Sequence, residues 1–389
     1  METNKIIKVE TFPLEVPLNS LETPPESLPY YQELKALVFG SYKSVIVKIT
    51  LDNGLVGYGE CMSRLSPKAT ADIVNDVLKP VIIDTDPFDS EVLWEEMYAT
   101  MRQRGHSKGY MIEAISGVDI ALWDLKGKLV KKPIYKLLGG MFRNKVQVYA
   151  SSIRFKKPKD VVEEVKNVMK EGFNQVKLKI GRGISQDIEA IQLIRKEIGN
   201  EVVLMVDANS GYSVNDSIKI GRMLEKYEVA WFEEPITPDN LPGYAKIADS
   251  LDIPIAAGES EFTRFGFRDL IDQGKIDIIQ PNVGRAGGFT EVLKILSLAS
   301  SHGIPYAPHT GSSSGITMAA ELHLAIASSN FLTYEYMRTA WSHEQTNPLK
   351  KYLLEKEIDK PTNGFIDAPS GFGLGIEINQ EVIKKYSIK

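Results

Sequence analysis

The chain has 389 residues, 43% of them apolar and 25% charged, enough for an ordinary core and for about two domains at roughly 100–200 residues each. The formal net charge is −5 and there is no basic stripe, so nothing recommends a nucleic-acid partner. The single cysteine, Cys61, excludes an intrachain disulfide. No apolar run of about 18 residues suggests a membrane span. The N-terminus lacks the apolar core of a leader peptide, so a cytoplasmic address is expected.

In chain order, residues 1–140 read as an α+β domain. Ile6–Val16 and Ser44–Thr50 have strand character, and Asp52-Asn53-Gly54 turns the second into Leu55–Glu60. Helical stretches follow at Ala69–Val77, Ser90–Met101 and Gly109–Val130. Between the first two strands lies Asn19–Gly40, long, proline-bearing and apolar at its tip, Leu28–Tyr31. A loop of that length suggests a lid that sets specificity, with a merely variable surface loop as the plainer alternative.

Residues 141–370 alternate short apolar runs with amphipathic stretches. The runs are Val146–Ser151, Gln175–Ile180, Val202–Asn209, Val229–Pro235, Ile253–Ser260, Ile276–Asn282, Ile304–Thr310 and Phe331–Tyr336. They are β-branched-rich and bounded by Gly, Pro or Asn, as buried parallel strands should be. Helical patterns fall between them at Asp160–Glu171, Gln186–Ile198, Phe289–Ser301 and Ile316–Ser328. Eight βα units predict a closed (β/α)₈ barrel of the TIM type, and no glycine-rich dinucleotide turn points to an open sheet. Residues 371–389 are expected to return to the first domain.

Active sites of such barrels form at the C-terminal strand ends. Three consecutive runs end in acids: Asp207, Glu233 and Glu259, each 26 residues after the one before. Helix capping could explain any single one of them. Three uncompensated carboxylates in one mouth would repel, and a divalent cation removes that cost. Hard oxygen ligands with room left for water or substrate favour Mg²⁺. One run earlier, Lys177 and Lys179 stand two apart and so share the inward face of their strand. Two adjacent ammonium groups lower each other's pKa, which would ready one as a base; the plainer reading makes both of them ion-pair partners of the acids.

His309 ends the seventh run, placed to act as a general acid. Glu335 ends the eighth, within reach of a substrate oxygen. Gly311–Gly315 opens the next helix, whose free N–H groups offer a carboxylate site. His302 reads as a helix cap and His323 as packing, while His106 and His343 have no assignment.

The set as a whole resembles the mandelate racemase subgroup of the enolase superfamily. The residues that carry it are Lys177-x-Lys179, Asp207-x-Asn209, Glu233-Glu234-Pro235, Gly258-Glu259 and His309. Further matches are Val56-Gly57-Tyr58-Gly59-Glu60, the run Ala121-Leu122-Trp123-Asp124-Leu125-Lys126-Gly127-Lys128, Leu137-Leu138-Gly139-Gly140 and Gly373-Leu374-Gly375. The resemblance implies an N-terminal capping domain over a modified barrel, and Mg²⁺ on Asp207, Glu233 and Glu259. It also implies removal of an α-proton to give a metal-held enediolate. Asn209, Asn282 and Glu335 are then expected beside the substrate. A sugar acid is the expected partner, and a homo-oligomer the expected assembly.

One departure bears on the reaction. The subgroup commonly pairs its histidine with an aspartate at the sixth strand end, where this chain has Asn282. An amide orients an imidazole but does not stabilise its cation as a carboxylate does. That weakens His309 as a base and favours a dehydratase, with Lys179 as base and His309 as acid, over a racemase or epimerase. A metal-binding barrel without catalysis is the reading from another class.

Overall fold

The computed structural model describes residues 4–18, 40–153, 157–338, 347–358 and 360–388. The predicted lid, apart from Gly40, lies outside the described residues, as does His343.

The first region is an antiparallel sheet in the order β1 (Ile6–Pro17), β2 (Ser41–Leu51), β3 (Val56–Cys61). The helix Tyr110–Leu129 lies on it almost backbone to backbone. Glycine makes that approach possible: a Cβ on Gly59 would fall 1.9 Å from the Gly117 carbonyl oxygen. The predicted helix Ala69–Val77 is broken. An α-turn Pro67–Asp72 runs into a π-helical segment Ile73–Leu78 and then Lys79–Ile82. Pro80 has no N–H to return to the preceding turn, and the ladder widens just before it.

The second region is a curled parallel sheet with helices outside it, the α/β barrel architecture read from the sequence. Its strands are β4 (Lys145–Ile153), β5 (Gln175–Lys179), β6 (Val203–Asp207), β7 (Val229–Glu233), β8 (Ile255–Ala257), β9 (Ile278–Ile279) and β10 (Tyr334–Met337). They pair in the order β10-β4-β5-β6-β7-β8-β9. The seventh predicted strand, Ile304–Thr310, is corrected by the structure to a single bridging residue, Tyr306, which pairs with Ile279 on one side and Phe331 on the other. Pro305 and Pro308 flank the bridge and have no N–H for a longer ladder. Proline also trims β8 after Pro254 and β9 before Pro281. A short β11 (Phe365–Asp367) pairs antiparallel with the start of β4.

Outward-facing strand residues pack against the helices, with Val165, Ile191, Ile220, Ile247 and Ile295 all at 0% exposure. Each such burial contributes about 1.5–3 kcal/mol. Inside the ring, Tyr149, Met205, Trp231, Ala256, Ile278 and Ala307 form an apolar floor. The first region docks on the chain just after β9. Met62 N–H donates to the Gly284 carbonyl (3.0 Å), Trp94 Nε1 to the Gly287 carbonyl (2.7 Å), and Trp123 Nε1 to Thr290 Oγ1 (2.9 Å). The C-terminal segment lies along the same region: Leu374 N–H donates to Asp124 Oδ1 (2.9 Å) and Ile388 N–H to the Pro13 carbonyl (3.0 Å).

Candidate active site

Above the apolar floor the inward side chains become charged. Lys179, Asp207 and Glu233 are lateral neighbours on β5, β6 and β7. Glu259 joins them differently, because Glu233 pairs with Ala256 rather than with Glu259. Gly258, at φ +136°, turns the chain back so that the acid beyond it reaches the row. No side chain fits there, since a Cβ would lie 2.9 Å from the Gln280 nitrogen. Asp207, Glu233 and Glu259 are all buried, and one oxygen from each falls within 4.8 Å of the others.

The two lysines are held unequally. Lys177 Nζ contacts both Glu233 oxygens (2.7 and 2.8 Å), Glu335 Oε1 (3.0 Å) and Tyr149 Oη (3.3 Å), and its side chain is 1% exposed. Lys179 Nζ meets Asp207 Oδ2 at 2.5 Å and is 14% exposed, so it is the one that reaches the mouth. The mutual lowering expected of the two lysines is opposed by the surrounding acids. Burial pushes Lys179 down, but Asp207, Glu259 and Glu233 outweigh both burial and Lys177, and the net shift is upward. Lys177 is likewise held charged well above the usual range, its burial outweighed by Glu233 and Glu335.

At the other end of the row, His309 Nε2 stands 3.4 Å from Glu259 Oε2. Burial drives its pKa down to about 4, with Glu259 and Glu335 pulling the other way. Asn282 reaches His309 as expected, with Nδ2 3.3 Å from Nδ1 and 2.9 Å from the His309 carbonyl oxygen. Asn209 borders the acids through its backbone, donating its N–H to Asp207 Oδ1 at 2.8 Å.

Two expectations for binding a substrate oxygen are corrected. Glu335 is fully engaged by the chain itself: Oε1 by Ser151 Oγ (2.6 Å) and Lys177, Oε2 by the N–H groups of Thr310 (2.7 Å) and Gly311 (3.2 Å). A carboxylate has about four acceptor sites, and these donors fill them. The helix after His309, Gly315–Ala327, is also taken. Its first N–H groups, on Ser314 (2.9 Å) and Thr317 (3.0 Å), donate to Glu60 of the first region, which also accepts from Ser44 Oγ and Ser314 Oγ. The dipole and free donors of that helix are therefore used to seat one region on the other.

Sequence reasoning gave no role to several residues that line the site. Arg64, which follows β3, places Nη1 3.7 Å from Glu259 Oε1 and donates from Nη2 to the Gly311 carbonyl (3.2 Å). Trp231 Nε1 (3.2 Å) and Gln280 Nε2 (2.8 Å) both donate to Glu233 Oε2. Glu234 is buried beside the row, and burial and the other acids push its carboxyl well up, toward the neutral form. Trp231 and Gln280 were visible as inward residues of their runs; Arg64 had no signal.

Residues 160–382 match the enolase C-terminal domain-like family. Residues 33–139 match the mandelate racemase / muconate lactonizing enzyme N-terminal domain. The chain belongs to the mandelate racemase subgroup of the enolase superfamily. Within it, the chain is 35% identical to D-galactarolactone cycloisomerase of Agrobacterium fabrum over 98% of each chain. It is 35% identical to arabinonate dehydratase of Saccharolobus solfataricus over 92% of this chain and 94% of that one. A crystal structure of a racemase from Streptomyces coelicolor A3(2) with bound magnesium superposes with a TM-score of 0.85 at 25% identity, covering 98% of this chain and 100% of that one.

The donor set here fits the divalent cation that enolase-superfamily members use. Asp207, Glu233 and Glu259 offer hard oxygens only, buried and close enough to share one ion. The lysines now neutralise two of the three acids, and no neutral side chain stands among the candidate ligands.

Proposed function

We propose that the chain is a magnesium-dependent hydro-lyase that converts a sugar acid into a 2-keto-3-deoxy acid. The observation that carries this reading is the order of groups along the mouth: Lys179 at one end, three metal-binding acids between, and His309 at the other. Asp207, Glu233 and Glu259 would hold Mg²⁺. When bound, the ion neutralises the acids and stabilises the negative charge that a substrate carboxylate gains as its α-proton leaves.

Lys179 takes that α-proton at Nζ. Lys177, locked by Glu233 and Glu335, keeps its charge and positions the row. The C–H electron pair becomes a carbon–carbon double bond, the bond from the β-carbon to its oxygen breaks, and His309 donates to the departing oxygen. The resulting enol becomes the keto acid by taking up a proton on carbon. Burial beneath the first region keeps water from competing.

A second reading, cycloisomerisation, shares the first step and differs in what leaves. There the departing oxygen is the ring oxygen of a lactone. The likeness to the galactarolactone enzyme over nearly the whole of both chains favours it. Racemisation or epimerisation needs a second base, which Asn282 beside His309 disfavours. The experiment is a screen of aldonic acids, aldaric acids and their lactones with Mg²⁺, reading out 2-keto acid. Keto acid from open-chain acids supports the dehydratase. Product from lactones alone supports the cycloisomerase, and α-deuterium exchange without elimination supports the epimerase.

A further inference from the structure

Asn282 and His309 are both buried, at 0% and 4% exposure. Two backbone groups of fixed polarity settle how the Asn282 amide lies. Its Oδ1 accepts from the Gly284 N–H at 2.9 Å, and its Nδ2 donates to the His309 carbonyl oxygen at 2.9 Å. Turning the amide over would set oxygen against oxygen and N–H against N–H. The backbone beneath is pinned as well, because Glu321 Oε1 accepts from the Val283 N–H at 2.6 Å.

With that orientation fixed, the group facing His309 Nδ1 at 3.3 Å is an NH₂. An amide NH₂ donates and does not accept. The lone pair of the ring therefore sits on Nδ1 and its proton on Nε2. The far edge agrees, since Nε2 is 3.4 Å from Glu259 Oε2, an acceptor. We infer that Asn282 locks His309 as the Nε2–H tautomer, so that the ring offers the mouth a donor and no base, and the site has one base only. The consequence for catalysis rests on the proposed roles of Lys179 and His309; the tautomer does not. Asn282 is a positioning residue, acting through His309.

The test uses magnesium-loaded, full-length protein with ¹⁵N in the histidine rings. His309 is assigned by the signals lost in His309→Gln. The nitrogen coupled strongly to both ring C–H protons is Nε2, and it should have the shift of a protonated, pyrrole-type nitrogen. Nδ1 should be of the unprotonated type. A protonated Nδ1 overturns the inference. Asn282→Asp, which retains an oxygen for the Gly284 N–H, should move the proton to Nδ1; Asn282→Ala should give a mixture.

The second readout is stereochemical. In D₂O with each aldonic and aldaric acid and its α-epimer, wild type should exchange the α-proton of one configuration only. Asn282→Asp should raise exchange in the other configuration by about tenfold or more, within the range of a general-base contribution. If the tautomer changes and that exchange does not rise, Asn282 is not what limits the site to one base. If no acid is turned over at all, the proposed reaction fails while the tautomer still decides the inference.

Discussion

At the Asp207 end of the acid row the facing group is an ammonium; at the Glu259 end it is an imidazole kept neutral. Acids surround Lys179 and Lys177 and hold their pKa values up despite burial. Burial pushes His309 toward the neutral ring although two acids oppose it, and its Nδ1 edge meets an amide NH₂ rather than a carboxylate. One end can serve as a base once the acids are neutralised, whereas the other presents a donor at Nε2 and no free lone pair to the mouth. The comparison teaches that two similar acids, a βα unit or two apart, can support opposite jobs through what stands behind their partners.

Breaking each end should therefore give losses of different kind. Lys179→Met should abolish both α-proton wash-out and keto acid, with a loss of about 10²–10⁴-fold or more in kcat. His309→Asn should keep the wash-out in D₂O while product formation falls. Its effect should be larger for an open-chain acid, which must expel hydroxide, than for a lactone, which expels a carboxylate. Wash-out lost in His309→Asn and kept in Lys179→Met would reverse the roles.

The row between the two ends should respond to metal. Mg²⁺ that binds the folded chain alone stabilises it by about 2.7 kcal/mol at a hundredfold excess over Kd. The thermal midpoint should rise with Mg²⁺ in wild type, hardly in Glu259→Gln, and fall back with chelator, together with activity. A midpoint and turnover indifferent to chelator would remove the ion from this site.

How far these features were legible follows from their range. The gathering of Asp207, Glu233 and Glu259 could be read because one βα unit separates each pair. The strand lengths could not, because apolar runs look alike whether or not a proline such as Pro305 or Pro308 deprives them of donors. The balance of charge at Lys179 was only partly legible, because its neighbour in sequence suggests repulsion while three acids from other strands pull the other way. Glu60 was missed as the partner of a helix N-terminus because the two lie 254 residues apart and in different regions.

That contact yields a smaller effect. Glu60→Gln replaces an acceptor oxygen by an NH₂ facing the Ser314 and Thr317 donors, which should cost about 1–3 kcal/mol of stability. The loss should show in the denaturation midpoint, with little change in the tautomer of His309. An unchanged midpoint would mean the seat does not matter to folding.

The smallest expected effect uses a histidine outside the mouth as a control. His323, fully buried, accepts from the Tyr135 N–H at Nδ1 (3.3 Å) and approaches the Leu374 carbonyl with Nε2 (3.1 Å), so it too is neutral with its proton on Nε2. Burial lowers its pKa to about 4, the Leu374 carbonyl opposing. The unfolded chain takes up this proton near the ordinary imidazole value of 6.5, while the native chain does so only near 4. Its stabilising effect is therefore complete above pH 6.5 and is lost as the pH falls toward 4. The loss is of the order of 3 kcal/mol. His309, depressed by burial in the same way, adds a second loss over the same window. In denaturation at pH 7 and pH 4.5, His323→Gln should lose less stability on acidification than wild type, and His309→Asn should do likewise. Only His309→Asn should also change catalysis at pH 7. If His323→Gln leaves the acid slope untouched, burial is not what keeps that ring neutral, and the same argument for the charge state of His309 loses its control.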